Sequence, residues 1–400
     1  MVGFSLVPKA ACPYCYYRVD PRSIMIRCTG RPAPGREACT LKEDPARNRV
    51  LGDSTPVLPS FAPPRGRLSL GSALSGECPN CFGRSGIRVC PQCHSVLPAS
   101  FGGRSPMFGV VGVKGSGKTV MLTVLSKELK TSVARRFDAS IDDVGSSALM
   151  RKMARWRDQM DSGGQLPEST AEFNPAETVP AVLEWRYERK GVAGISRDEA
   201  TVLSFYDTAG EDLKTLEGTR NQHYLAAADG LIVLLDPFGF RANRDRGLAM
   251  GIPETQLEIE PVNVLGSITT MLREEAGKGG RKKVDRPMAI VVSKIDAFFR
   301  DLPPEHPVRQ PGSNRPLFDE AESRSVHDHI EALIHDWDGD DVLAHLRLNY
   351  ERYRFFAASA LGAEPEYRSE RVNSRGVLPH RVAEPLLWLM SLRGFIPKAG

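Results

Sequence analysis

The residue types best suited to chemistry lie in residues 108–119, which read FGVVGVKGSGKT. Gly112, Gly117, Lys118 and Thr119 match the pattern G-x-x-x-x-G-K-[ST], which holds nucleotide phosphates. Glycines lack a Cβ, so the backbone can turn its N–H groups towards phosphate oxygens, and the helix that follows favours anions at its start. Lys118 would contact the β- and γ-phosphates, and the Thr119 hydroxyl would bind Mg²⁺. The alternative is a glycine-rich turn with an incidental lysine.

All eight cysteines fall within residues 12–93 and form a second chemical group. The turn from Cys78 to Cys81 and the turn from Cys90 to Cys93 have the spacing of a zinc ribbon, in which two C-x-x-C turns surround a tetrahedral ion. Four thiolates leave no open coordination position, so a structural Zn²⁺ is expected. A separate four-cysteine zinc site is predicted earlier in the chain, from Cys12, Cys15, Cys28 and Cys39. Its alternative is one C-x-x-C turn with two free buried thiols.

Composition and charge set limits on the function. The formal charge of the 400 residues is +4 with every thiol counted as neutral. Two zinc sites of four thiolates would each carry about −2, which removes the basic excess as an argument for a nucleic-acid partner. The sequence has neither a long apolar run nor an N-terminal signal region, so we expect a cytoplasmic protein without a transmembrane segment.

From residue 104 onwards, strand and helix patterns alternate, which is typical of an α/β domain with a mainly parallel sheet. The predicted strands are 106–113, 182–189, 201–206, 231–235, 287–292 and 353–358. The predicted helices are 118–131, 149–160, 259–276, 321–337 and 382–393. We predict four regions: a zinc-binding module at 1–40, a flexible Pro-, Gly- and Ser-rich linker at 41–77, a zinc ribbon at 78–103 and a nucleotide-binding domain at 104–400. The nucleotide-binding domain is predicted to carry an insertion at about 132–180.

Three further motifs follow predicted strands. Asp207 begins the sequence D-T-A-G, where its carboxylate could hold Mg²⁺ through water and the N–H of Gly210 could contact a γ-phosphate. Asp296 ends the sequence S-K-I-D, where its carboxylate could accept two hydrogen bonds from guanine, which adenine does not offer. The stem of Lys294 could lie over the base. The last motif is S-A-L at residues 359–361.

In this order, the four motifs resemble those of the TRAFAC class of P-loop GTPases, the translation-factor-like and Ras-like proteins. The resemblance covers residues 105–400 and implies binding of GTP or GDP with Mg²⁺. With the N-terminal zinc ribbons, the chain resembles the bacterial double-GTPase families of conflict and signalling systems. The nucleotide contacts implied are those of Gly112, Lys114, Gly115, Ser116, Gly117, Lys118, Thr119, Val120, Asp207, Gly210, Ser293, Lys294, Asp296, Ser359, Ala360 and Leu361, with Thr119 and Asp207 on magnesium.

The sequence departs from the pattern of that class at three positions. Glu211 stands where Ras-like proteins commonly carry a glutamine that positions the attacking water, which predicts either slow hydrolysis or hydrolysis that uses another residue. Ser293 replaces an asparagine or threonine and could still hydrogen-bond the P-loop backbone. The switch-one threonine is predicted to be Thr178, with Thr170 as its rival. The predicted catalytic residues are Lys118, Glu211 and Thr178.

Three functions remain in competition at this point. The leading hypothesis is a GTP-dependent switch with slow hydrolysis, whose zinc modules dock a protein partner. The second is a nucleic-acid-binding zinc-ribbon adaptor with a regulatory or degenerate nucleotide domain, suggested by Arg84, Arg88 and Arg104. The third is an ATP-using P-loop enzyme in which S-K-I-D arises by chance.

Overall fold

The structure is a computed structural model. It describes residues 10–63, 75–98, 100–102, 106–112, 115–144, 148–162, 164–167, 180–190, 196–205, 224, 227–275, 282–366, 369 and 371–399.

The cysteine-containing region forms one folded unit of short strands. Its elements are β1 (Ala10–Ala11), β2 (Arg18–Val19), β3 (Met25–Arg27), α1 (Pro45–Leu51), β4 (Ser60–Phe61), β5 (Gly76–Glu77), β6 (Arg84–Ser85) and β7 (Ile87–Val89). Strands β1 and β2 pair antiparallel, as do β5 and β6. Strand β3 pairs antiparallel with both β4 and β7, so the first and last parts of the region share one sheet.

This pairing corrects two expectations. The region does not divide into a separate zinc module at 1–40 and a zinc ribbon at 78–103, because β3 and β7 come from the two parts. Residues 41–63 of the expected linker hold α1 and β4. Asp44 caps α1 by accepting hydrogen bonds from the backbone N–H groups of Ala46 and Arg47. Such a cap fixes the start of a short helix within a Pro- and Ser-rich sequence.

The rest of the chain alternates strands and helices. In order, the elements are β8 (Phe108–Gly112), α2 (Lys118–Glu128), a π-helical turn (Leu129–Val133), α3 (Ala134–Phe137), β9 (Ala139–Asp143), α4 (Ala148–Ser162), β10 (Ala181–Lys190), β11 (Ser196–Phe205), β12 (Gly230–Leu235), α5 (Arg244–Ala249), α6 (Glu254–Leu257), α7 (Pro261–Glu275), β13 (Met288–Val292), β14 (Phe318–Asp319), α8 (Glu320–Asp336), α9 (Asp340–Asn349), β15 (Tyr353–Ala357), α10 (Glu384–Leu392) and β16 (Lys398–Ala399). Short 3₁₀ helices lie at Pro21–Ser23, Pro237–Gly239, Arg241–Asn243, Ile295–Phe298 and Pro307–Arg309.

Four strands form a parallel sheet in the order β15-β13-β12-β8. They are short apolar runs buried on both faces, as is usual for parallel strands. Gly112 lies opposite Leu234, and Leu235 lies opposite Val292. Val292 in turn lies opposite Ala357. The carboxyl ends of these four strands therefore meet at one edge of the sheet.

Side chains that alternate along the strands feed two hydrophobic clusters. Val111 and Val233 face one cluster, with residues of α7, α8 and α9. Val110 and Ile232 face the other, with residues of α2, α4 and α10. This two-sided burial confirms the predicted α/β class.

A second, antiparallel sheet has the order β11-β10-β9. Strands β10 and β11 form a hairpin in which Ala181 pairs with Phe205. Strand β11 lies close to β8, and Phe205 and Phe108 belong to the same hydrophobic cluster. The predicted strand 201–206 begins five residues earlier than expected, at Ser196, because its whole length pairs with β10.

The described part of the expected insertion at 132–180 holds α3, β9 and α4. The outer limits of this insertion and of the nucleotide domain stay predictions. In the ranges that the structure describes, no helix combines the length and apolar character that crossing a bilayer needs.

Candidate functional site

The loop after β8 has the backbone that a phosphate cradle needs. Gly115 and Gly117 adopt positive φ angles of +83° and +80°, a conformation that glycine reaches without strain. Gly117 is the N-cap of α2, and Lys118 is the buried first residue of that helix. Thr119 and Val120 continue the first turn and are half-buried. Val113 and Lys114 lie outside the described residues.

Ser116 supports the fit of a ligand to this loop. Its side chain is fully buried, and within the described ranges its hydroxyl has no hydrogen-bond partner. A Cβ on Gly112 would lie 2.6 Å from the Ser116 Oγ atom. Buried hydroxyls are nearly always paired in native proteins. A small backbone at Gly112 and an unpaired polar atom beside it therefore fit a loop that holds a polar ligand.

The S-K-I-D sequence follows β13 at the same edge of the sheet. The buried Ser293 donates hydrogen bonds to the carbonyl oxygen of Leu235, from its Oγ atom at 3.1 Å and from its backbone N–H at 3.0 Å. The expected contact of Ser293 with the P-loop backbone stays a prediction, because Val113 and Lys114 of that loop lie outside the described residues. Among the described residues, the short serine side chain contacts the end of the neighbouring strand β12.

Lys294 is held by an acidic residue, Asp236, that is not among the predicted site residues. Lys294 adopts a φ of +51°, and its Nζ atom lies 2.7 Å from Asp236 Oδ2 and 5.8 Å from the ring centroid of Phe238. Asp236 also accepts a hydrogen bond from the backbone N–H of Phe238 at 3.0 Å. The sequence feature that could have indicated Asp236 is its position directly after the buried strand β12. The ion pair fixes the direction of the lysine stem.

Asp296 has an environment suited to reading a base. Burial raises the pKa of Asp296, while a hydrogen bond with the Ser359 side chain and the charge of Lys294 oppose that rise. Ser359 is buried after β15 and exchanges two backbone hydrogen bonds with His380, at 3.0 and 2.8 Å. Its Oγ atom accepts a third from Gly362 N–H at 2.8 Å. The Ser359 hydrogen bond holds the carboxyl group at this edge of the sheet, where its ionised form can accept hydrogen bonds from N–H donors of a ligand.

The parallel register brings most of the predicted nucleotide contacts to one edge. Those that lie there are Gly112, Gly115, Ser116, Gly117, Lys118, Thr119, Val120, Ser293, Lys294, Asp296, Ser359, Ala360 and Leu361. Outside the described residues lie Lys114, Thr178, Asp207, Gly210 and Glu211. Their roles stay predictions, although β11 ends at Phe205, only two residues before Asp207. The magnesium contact of Thr119 also stays a prediction.

Gln256 is a second residue at this edge that belongs to none of the four motifs. It lies in the short helix α6, which is anchored by the buried Leu257. The Gln256 Oε1 atom lies 2.4 Å from the position that a Cβ on Gly115 would occupy. The amide of Gln256 therefore covers the phosphate-binding loop at Gly115.

The eight cysteines form two groups of four, each with all sulfur atoms within 4.8 Å of one another. We call the first the proximal site (Cys12, Cys15, Cys90, Cys93) and the second the distal site (Cys28, Cys39, Cys78, Cys81). The predicted grouping, with one site from each half of the region, is wrong. The C-x-x-C spacing identifies each turn but not its partner, and the pairing of β3 with β7 decides which turns meet.

The sulfur geometry fits zinc. Cys12 and Cys93 lie 3.8 Å apart, as do Cys15 and Cys90. In the distal site, Cys28 and Cys81 lie 3.5 Å apart, and Cys39 and Cys78 lie 3.7 Å apart. A tetrahedral Zn²⁺ with bonds of about 2.3 Å places its sulfur ligands about 3.8 Å from one another. His94 belongs to neither group, because each set of four among the described residues consists of cysteines alone. The His94 Nδ1 atom instead lies 2.8 Å from Asp44.

Comparison with known proteins identifies the family of this chain. The family profile described as Double-GTPase 2 matches residues 106–334, more than half of the chain. The putative ESX-1 scaffolding and assembly protein SaeC of Mycolicibacterium smegmatis is 23% identical over 325 residues, which are 76% of this chain and 80% of that protein.

Two solved structures are similar over part of the chain. The signal recognition particle receptor SRb-GTP/SRX complex of Chaetomium thermophilum has 13% identity and a TM-score of 0.28, over 67% of this chain and 99% of that one. The Ski7 GTPase-like domain of S. cerevisiae, bound to GTP, has 11% identity and a TM-score of 0.30, over 73% of this chain and 50% of that one. Because both TM-scores are low, the family assignment of this chain rests on the family profile alone. The chain therefore belongs to the Double-GTPase 2 family and carries a GTP-binding domain.

Proposed function

We propose that the chain is a molecular switch that binds GTP, hydrolyses it slowly and docks a protein partner through its zinc-stabilised N-terminal region. The observation that carries this proposal is the common edge at which the P-loop, the S-K-I-D sequence and the S-A-L sequence lie. One nucleotide can contact all three only if their strands end together, as these strands do.

Each part of the nucleotide has a group of this chain to meet it. The backbone N–H groups around Gly115 and Gly117 hold the phosphates, and the ammonium of Lys118 neutralises their charge. The carboxylate of Asp296 accepts hydrogen bonds from guanine, and the Lys294 stem lies over the base. Mg²⁺, when bound, supplies positive charge at the β- and γ-phosphates, and Thr119 and Asp207 are the residues proposed to hold it.

Slow hydrolysis follows from Glu211 if it occupies the water-positioning place after D-T-A-G. A carboxylate there accepts a proton from water but adds negative charge beside the γ-phosphate, where charge already accumulates. Changing Glu211→Gln would remove that charge and keep the hydrogen-bonding oxygen. We expect the single-turnover rate of GTP hydrolysis to rise in this variant, and a lower rate would contradict the assigned role.

The distal site is the better candidate for the docking arm. Its surroundings expose two large apolar side chains, Leu41 at 64% and Phe82 at 43%. The guanidinium of Arg36 lies 4.5 Å from the ring centroid of Phe82. Aromatic and arginine side chains are enriched at protein interfaces. SaeC is named as a putative scaffolding and assembly protein, which agrees with a protein partner for this surface.

The base-reading claim has a sharp test. Fluorescent GDP, GTP and ATP are titrated against the full chain and against an Asp296→Asn variant. We expect the wild type to prefer guanine nucleotides and the variant to lose that preference, because a mispaired buried polar group is costly. Xanthine carries a carbonyl where guanine carries its amino group, so the Asn amide should restore binding of xanthosine diphosphate. Tight ATP binding without GDP binding would contradict the proposal.

A further inference from the structure

The proximal site is built into the nucleotide-binding domain. Cys12, Cys15 and Tyr14 share one buried cluster with Val182 of β10 and Val202 of β11. The hydroxyl of Tyr14 donates to the carbonyl oxygen of Val144 at 2.9 Å. The first C-x-x-C turn therefore packs on the sheet that ends just before D-T-A-G.

Two polar contacts fasten the same surfaces. The buried Ser204 of β11 donates from its Oγ atom to the carbonyl oxygen of Pro13 at 2.7 Å. Glu184 of β10, itself 3% exposed, accepts from the backbone N–H of Ser100 at 2.9 Å and from the Ser100 hydroxyl. Ser100 follows the second C-x-x-C turn of the proximal site. Both turns of that site are thus fixed to β10 or β11.

A third contact reaches the phosphate-binding strand itself. Tyr16, next to the ligand Cys15, lies with its ring centroid 5.0 Å from that of Tyr224. Both side chains are buried. The hydroxyl of Tyr224 accepts a hydrogen bond from the backbone N–H of Val110 at 2.7 Å. Val110 lies on β8, two residues before Gly112.

In the described residues, only β12 pairs with β8, and the Tyr224 side chain supplies a hydrogen-bond acceptor to β8. Strand β8 pairs with β12 on one side, and the described residues form no ladder between β8 and β11. The N–H of Val110 is therefore satisfied by a side chain. A buried N–H that loses its partner is costly, so the position of Tyr224 influences the strand that carries the phosphate-binding loop.

We propose that Tyr16 and Tyr224 are positioning residues that couple the proximal zinc site to the nucleotide pocket, so that each ligand strengthens binding of the other. Such coupling is reciprocal by thermodynamic necessity. The inference rests on the proposed binding of guanine nucleotide. The distal site provides the contrast, because its described cluster contains only N-terminal residues: Ile26, Cys28, Cys39, Leu58, Phe61, Cys78 and Cys81.

The test measures zinc release to a metallochromic chelator from the full chain. Release is followed without nucleotide, with GDP and with a non-hydrolysable GTP analogue. A variant with Cys78→Ser and Cys81→Ser reports the proximal site alone, and one with Cys90→Ser and Cys93→Ser reports the distal site, each measured at a nucleotide concentration that saturates that variant. We expect nucleotide to slow proximal release about fivefold or more and to leave distal release unchanged. Equal release from the proximal site in every state would overturn the coupling.

Tyr224→Phe tests the path without removing a ligand. This variant keeps the ring contact with Tyr16 and removes the acceptor for the Val110 N–H group. We expect zinc binding to remain and the ratio of the proximal zinc release rates without and with nucleotide to move towards one. A general loss of stability would raise both rates and leave this ratio unchanged. Tyr17→Phe, at a half-exposed position beside Tyr16, is the matched control and should keep the full effect. An unchanged ratio in Tyr224→Phe would refute the path.

A nucleotide-binding titration of the wild type separates the two proposals. A wild type that binds no guanine nucleotide overturns both the switch and the coupling. A wild type that binds GDP but releases proximal zinc at the same rate overturns only the coupling.

Discussion

The proximal and distal sites have the same ligands but different surroundings. Each takes two cysteines from the start of the region and two from its end, with sulfur spacings that fit zinc. The proximal cluster includes side chains of β10 and β11, whereas the described distal cluster draws only on its own module. The role of a structural zinc site is therefore set by what packs against it.

The contrast divides the N-terminal region by function. The proximal half behaves as part of the nucleotide-binding domain, because three separate contacts tie it to β8, β10 and β11. The distal half exposes the side chains of Leu41 and Phe82, which form the surface that we propose to dock a partner. One small metal-stabilised module can thus link a partner surface to a nucleotide pocket.

The largest expected effect comes from removing one ligand at each site. Cys15→Ser should lower the melting temperature of the whole chain and weaken GDP binding at least about tenfold, which corresponds to about 1.4 kcal/mol. Structural zinc contributes about 10–16 kcal/mol to small zinc-dependent folds, so this loss is large. Cys81→Ser should lose distal zinc and keep its GDP affinity. Calorimetry and fluorescence titration measure both, and similar losses of GDP affinity in the two variants would erase the contrast.

A change inside the pocket should act on nucleotide without releasing distal zinc. Gly115→Ala forces an L residue to a φ of +83°, at a cost of about 1–2 kcal/mol. The new Cβ would also meet the Gln256 Oε1 atom. We expect GDP affinity to fall and the zinc content of the chain, measured by atomic absorption after dialysis, to stay at two ions, one of them at the distal site.

Gln256→Ala in the Gly115→Ala background separates the two costs. Removing the long side chain should recover the part due to the contact and leave the part due to backbone strain. Complete recovery would show that the positive φ carries no cost. No recovery would show that Gln256 moves away freely.

A smaller effect is expected from a matched pair of serines. Ser204→Ala removes the hydrogen bond to Pro13 at the proximal interface. Ser85→Ala removes the hydrogen bonds with Arg27 and Ile87 within the N-terminal region. Each lost hydrogen bond should cost about 0.5–1.5 kcal/mol. Only Ser204→Ala should also weaken GDP binding in fluorescence titrations. A nucleotide effect of the same size in Ser85→Ala would contradict the division between the sites.

The sequence predicted the parts of this molecule that depend on local pattern. Parallel strands buried on both faces read as short apolar runs, and the motif residues follow them directly, so the sheet and the common edge of most predicted site residues were accessible from the sequence. The grouping of cysteines was not, because C-x-x-C turns are alike and long-range strand pairing selects their partners. Tyr224 is 114 residues from Val110. Asp236 contacts Lys294, 58 residues away in the sequence, and Gln256 lies beside the distant Gly115. Short sequence motifs do not predict such long-range contacts.

The most direct test of the account is hydrogen exchange of strand β8 when zinc leaves each site in turn. Mass spectrometry of a peptide containing residues 108–112 reports the protection of the Val110 N–H group, which donates a hydrogen bond to the Tyr224 hydroxyl. We predict faster exchange of this peptide after loss of proximal zinc, and unchanged exchange after loss of distal zinc. Unchanged protection of β8 in a folded chain without proximal zinc would contradict the claim that the proximal site supports the phosphate-binding strand.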